Sequence, residues 1–276
     1  MLSLIALAGA LSALRDADAR LAAVAWRLQT ANIALCHDVV HLPGFSIEML
    51  DQYSLSERAE AAAEFGLGDL PQVSSVVPGS AAGKAGLKAG DTILAVDGRP
   101  MPRAVGGKPD YGRTAIAETA LAEAMARPPV TLTLAARTIS FSGDPGCASS
   151  VQLVPGSRLD AVADGHYVQI SGTMYVFATN DDELAFVVAH ELAHNIVPEA
   201  KRATNAPGQR AAELAADRAA IGMMARAGFD IRQVAPLMER LRRKNRLSWL
   251  DGSHPAWPFR LAAAMRAVAE AAGIQR

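Results

Sequence analysis

The chain has 276 residues, of which 50% are hydrophobic and 20% charged, and a formal net charge of -1. That balance fits one large globular domain or two small ones. It excludes a global field that would draw the protein to nucleic acid or a membrane surface, and no run reaches the roughly 18 apolar residues of a membrane span.

The N-terminus, MLSLIALAGALSAL, is a short apolar stretch with Ala8-Gly9-Ala10 as an A-x-A cleavage match but without a positive n-region. It reads in one of two ways. As a signal peptide over about residues 1–13 it sends the protein to an exported, periplasmic location. As the first turns of a helix running on through LRDADARLAAVAWRLQTANIAL it leaves a cytoplasmic one. Residues 1–64 are expected to be helical throughout, with a second, Ala-rich helical piece over Met49–Phe65. In an exported protein Cys36 and Cys147 can bridge; otherwise they are two buried thiols. Cys36-His37 with His41 also offers soft and imidazole ligands. Pro43 and Gly44 follow at once and no nearby carboxylate supplies a base, so this group reads as structural or surface.

A second zone, residues 65–136, opens with Phe65-Gly66-Leu67-Gly68. A strand follows at QVSSVV, then a turn at Pro78-Gly79 and a short helix capped by Ser80. Next come a strand at TILAV, a hairpin turn at Asp97-Gly98, a helix over about Arg113–Ala126 and a strand at PVTLTLA. The third zone, residues 137–276, begins with strands at ISFSG, SVQLV, HYVQIS and TMYVFAT. Asn180 caps a helix with an acidic first turn, which Pro198 stops. Further helices are expected over about Arg210–Ala227, Ile231–Lys244 and Pro258–Ala271. The basic run ERLRRKNR reads as a solvated helix end, and His166 carries no site signal.

The chemistry concentrates in AHELAHN. His190 and His194, four residues apart on a helix, project side by side and can hold one ion. Zinc suits two imidazoles and a third ligand with one position open for water. Glu191, about 100° around the axis from His190, can act as the general base that later protonates a leaving amine. Downstream, ELAAD sets Glu213 and Asp217 again at i and i+4 among alanines small enough for close helix packing. Glu213 is the expected third ligand, and Asp217 the acceptor that fixes a ligand histidine's tautomer. His254 can approach as a labile fourth ligand or stabilise an oxyanion, and Arg260 can pair with a carboxylate near the site.

HELAH, ELAAD and HPAWPFR, in that order, resemble the M48 family of zinc peptidases. Lacking membrane spans, the chain is most similar to the soluble BepA/LoiP-like branch of the Ste24/HtpX group. The resemblance covers roughly Leu159–Ala271. It implies one zinc per chain on His190, His194 and Glu213, with Glu191 as catalytic base, Asp217 behind the ligands, and His254 and Arg260 near the site. VVPGSAAGKAGLKAGDTILAVDGRPM resembles a PDZ domain of the bacterial protease type. In that likeness Phe65, Gly66, Leu67 and Gly68 form the loop that captures a peptide's C-terminal carboxylate.

The expected fold is α+β: a mainly helical zincin-type peptidase domain with a small sheet, joined to a PDZ domain. The expected function is a metalloendopeptidase acting on protein substrates in envelope quality control or processing. Substrate would lie extended along Tyr175–Ala178, and the PDZ domain would tether C-termini or gate the cleft. The alternative is a latent or non-proteolytic, chaperone-like binding protein with a structural zinc. Partners are proteins or peptides, not nucleic acid.

Overall fold

The computed structural model of the chain describes residues 2–201, 203, 205–244 and 255–273. It is a mixed α+β structure that divides into two compact units. The first combines Met1–Ala23 with Val40–Pro145; the second combines Val24–Val39 with Gly146–Arg276. The N-terminal segment is therefore not a body of its own. Helix α1, Leu2–Ala31, gives its first part to one unit and its end to the other.

After α1 come β1 (Val39–Leu42), β2 (Phe45–Glu48), α2 (Arg58–Phe65), β3 (Gln72–Val76), α3 (Ala81–Lys84), β4 (Ile93–Val96), β5 (Arg99–Pro100), α4 (Gly112–Met125), β6 (Val130–Leu134), β7 (Thr138–Phe141) and β8 (Asp144–Cys147). An antiparallel sheet runs β5-β4-β6-β7, and β2 pairs antiparallel with β3. Along β6 the residues alternate, so Val130, Leu132 and Leu134 are buried while the threonines between them are half-exposed. These side chains meet Phe45, Ile47, Val73, Ile93, Val96 and Phe141 in one core. Each fully buried aliphatic there contributes about 2 kcal/mol. Helix α4 closes it with Ala117, Leu121 and Ala124, one apolar stripe at helical spacing.

Two features of this unit differ from the sequence reading. Residues 39–48 contain strands rather than helix, because Phe45, Ile47 and Glu48 take a two-stranded pairing that begins at Phe45↔Val76. Strand β7 belongs to the first unit's sheet and not to the second unit. A tight turn, closed by Leu134 N–H to the Arg137 carbonyl at 2.8 Å, folds it back on β6.

The second unit holds β9 (Ser150–Val154), β10 (Ala161–Ala163), β11 (Tyr167–Ser171), α5 (Gly172–Phe177), α6 (Asp181–Ile196), α7 (Ala206–Arg226), α8 (Val234–Lys244) and α9 (Trp257–Ala271). Its sheet runs β10-β11-β9, with β10 antiparallel and β9 parallel to β11. In the segment TMYVFAT, Thr173–Phe177 is helix, not strand. Ser171 ends β11 and its hydroxyl accepts the Met174 N–H, an N-cap that turns an apolar, β-branched run into one and a half helical turns. Extended substrate pairing along Tyr175–Ala178 is thereby excluded. Cys36 and Cys147 form a disulfide with their Cα atoms 5.3 Å apart.

Candidate metal centre

Helix α6 is buried on nearly every side, from Glu183 through His194. Its start is fixed three ways. The Asn180 side chain accepts the Glu183 N–H at 2.9 Å. Three acidic residues occupy the positive first turn. Buried Glu183 is held by a bidentate Arg240 at 2.6 and 2.9 Å and by Thr179. Burial alone would raise the Glu183 pKa, but the bonds from Arg240 and Thr179 outweigh it and lower the pKa.

Helix α7 begins with Asn205 accepting the Gly208 N–H, with proline in its first turn. Ala212, Ala216 and Ala220 form a buried stripe of small side chains, and beside that stripe Glu213 and Asp217 face inward, both almost wholly buried. The result is a convergence of three residues. His190 Nε2 lies 3.3 Å from His194 Nε2 and 3.5 Å from Glu213 Oε2, and His194 Nε2 lies 3.5 Å from Glu213 Oε1. The donor atoms of His190, His194 and Glu213 all fall within 4.8 Å of one another.

A ring of partners orients the three. His190 Nδ1 faces Asp217 Oδ1 at 3.0 Å, and His194 Nδ1 meets the Ala200 carbonyl at 2.5 Å. Each Nδ1 thus points away from the cluster, and both Nε2 atoms turn toward Glu213. Arg260 on α9 grips Asp217 with Nε at 2.6 Å and a second nitrogen at 2.8 Å, and reaches Glu213 at 3.5 Å. Gln209, one turn before Glu213, donates to its Oε1 at 3.4 Å and accepts the Ala203 N–H. Sequence reasoning missed Gln209 and Ala200; the i, i+4 spacing of Gln209 and Glu213 was the available signal.

The electrostatics follow from this packing. Burial favours neutral groups, yet bonds to Asp217 and Glu213 raise the His190 pKa to about 10. Burial opposes charge on Glu213 as well, but the two histidines hold its pKa well below the usual carboxylate range. Against the same burial penalty, Arg260 lowers the Asp217 pKa and is itself held cationic. Glu191 is buried in the same helix and adds to the negative field at His190 and Arg260.

The remaining candidates distribute as follows. Arg260 is brought to the site, on Asp217. His254 lies outside the described residues. Cys36 is consumed in the disulfide and the His37 side chain is 91% exposed, so the alternative ligand group does not assemble. Phe65 ends α2 with Arg15 stacked 4.0 Å over its ring, and Gly66 is that helix's left-handed cap. The Gly66 carbonyl accepts from Gln72, and Leu67 is buried with Leu11 and Ala61. The segment 65–68 thus caps α2 and anchors α1 within the first unit.

Among the described residues β2 pairs on one edge only. Helix α4 runs alongside it in the opposite direction. Its first turn bonds Gln52 just beyond β2 through Thr114, while Met125 at its end and Leu42 just before β2 both crowd Gly143. Gly44, at φ +72°, is required before the strand, since a Cβ there would stand 2.4 Å from Ser80 Cβ.

No curated protein and no solved structure matches the chain. One family profile does match, and it covers the strand, capped turn and hairpin just described. Residues 72–113 form a PDZ domain, a fold that indicates peptide or protein partners.

Proposed function

We propose that the chain is a zinc-dependent endopeptidase of the M48 type, its zincin-like half carrying the metal and its PDZ domain engaging protein substrates. The observation that carries this reading is the spacing of 3.3, 3.5 and 3.5 Å between the ligand atoms of His190, His194 and Glu213. Ligands about 2.0–2.1 Å from a tetrahedral zinc stand about 3.3 Å apart. Two imidazoles and one carboxylate are also the donor set of hydrolytic zinc sites.

Bound there, zinc supplies polarisation of the scissile carbonyl and acidification of a water. The chain's own groups do the rest. The Glu191 carboxylate takes the proton of the attacking water and delivers it to the leaving amine nitrogen. Asp217 and the Ala200 carbonyl hold the two imidazoles in the ligating tautomer, and Arg260 neutralises the charge behind them. With Tyr175–Phe177 helical, the extended seat for substrate is the outer edge of β10, paired only to β11 among the described residues. In the PDZ domain the free edge of β2, beside α4, is the seat for an added peptide strand. An exported location accords with the disulfide.

Metal content by mass spectrometry, with casein hydrolysis, tests the reading. Wild type should carry one zinc and cleave. Glu213→Ala should lose the metal, and Glu191→Gln should keep zinc while losing cleavage. Cleavage that survives Glu191→Gln rules out the mechanism.

A further inference from the structure

Asn195 follows the ligand His194 directly, so the two side chains leave α6 about 100° apart. Its amide is used on both sides. Oδ1 accepts the Gly165 N–H at 2.7 Å, and Nδ2 donates to Ser149 Oγ at 2.9 Å and to the Tyr167 carbonyl at 3.1 Å. Gly165 and Tyr167 belong to the tight turn joining β10 to β11. Inside that turn Gly165 has φ +101° and Asp164 Oδ1 accepts the N–H groups of His166 and Tyr167.

Strand β10 is three residues long, and its last member, Ala163, pairs with Val168 right beside the turn. Whatever fixes the turn therefore fixes the strand. Asn195 joins that turn to the helix that carries both histidines. Ser149, the third partner, lies two residues beyond the disulfide. Its carbonyl accepts from Gln29, and its hydroxyl also reaches the His166 carbonyl, so the anchor is itself held.

We propose that Asn195 is a positioning residue that fixes the free edge of β10 against α6, the helix that carries both ligand histidines, so that a polypeptide paired to β10 presents its scissile bond to the metal. The proposal rests on the peptidase reading above. Only an amide can meet an N–H with its oxygen and two acceptors with its nitrogen. The consequence belongs to substrate alignment rather than to the metal, since Asn195 touches neither an imidazole nor Glu213 in the contacts described.

The test uses Asn195→Ala and Ser149→Ala in the full chain, with three readouts. Zinc affinity, by chelator competition, should stay within about twofold of wild type. The Gly165 amide should exchange faster in Asn195→Ala. With an extended peptide substrate KM should rise about tenfold for Asn195→Ala and less for Ser149→Ala, while kcat holds, as expected for lost bonds of about 1 kcal/mol each. Loss of zinc, or a fall in kcat at constant KM, overturns the proposal and makes Asn195 a structural part of α6. A zinc-loaded wild type that cleaves nothing overturns the peptidase reading instead, and the exchange of Gly165 still shows whether the clamp exists.

Discussion

Asp217 carries two cationic partners at once, the imidazole of His190 on one side and a bidentate guanidinium on the other. Removing either partner exposes the cost of a charge that is 1% solvent-accessible. Arg260→Ala is expected to destabilise the fold by about 3–5 kcal/mol, read as a drop in urea midpoint, because Asp217 is left buried without its counter-ion. Asp217→Asn keeps the shape but weakens the hold on His190. It should lower zinc affinity about 10–100-fold in a chelator titration. Glu183 gives a pH-dependent case. Its folded pKa lies below the ordinary 4.5, so its contribution is complete above about pH 4.5 and disappears as pH falls through the folded value. Glu183→Gln should cost about 2 kcal/mol at pH 7, and the gap from wild type should narrow on acidification below pH 4.5. A gap that stays constant down to pH 3 contradicts that linkage.

At the scale of elements, legibility followed periodicity. The helices α6 and α7 could be read because a 3.6-residue period fixes which ionisable groups share a face, whereas Arg260 was legible only through its place in HPAWPFR and the resemblance that run carries. The run Thr173–Phe177 could not. Its tyrosine, valine and phenylalanine favour a strand, and a single hydroxyl decides otherwise by capping a helix. Ser171→Ala should therefore cost about 1 kcal/mol in chemical denaturation, and more if the loss of its bonds to Arg158 and Asp160 is felt as well. Strands β1 and β2 escaped notice for a related reason: four-residue strands carry too few positions for alternation to show. The loop at 65–68 had the composition of a carboxylate-binding turn, but its glycine is needed to end a helix and its leucine to fill a small apolar cluster.

For the whole molecule, the long-range organisation was the least legible part, since nothing in local pattern says that residues 24–39 belong with residues 146–276. Three ties make that assignment. Asn32, 1% exposed, donates to the Met223 carbonyl and accepts from Arg226; Gln29 donates to the carbonyls of Cys147 and Ser149; and the disulfide closes a sequence separation of 111. A cross-link over a loop of that size stabilises by about 2–5 kcal/mol. Replacing both cysteines by serine should lower the denaturant midpoint of the second unit accordingly.

Cys36 and Cys147 stand only 5.3 Å apart at their Cα atoms, and the Ala148 N–H bonds the Asp38 carbonyl at 3.0 Å. The chain thus leaves the histidine-bearing body and re-enters it through one doorway, and the PDZ-containing stretch between is a cassette. A graft that splices residue 39 to residue 146 through a few glycines, and trims the helix to its final turns, has almost no gap to span. Such a miniaturised protein offers a way to ask what the guest contributes to its host.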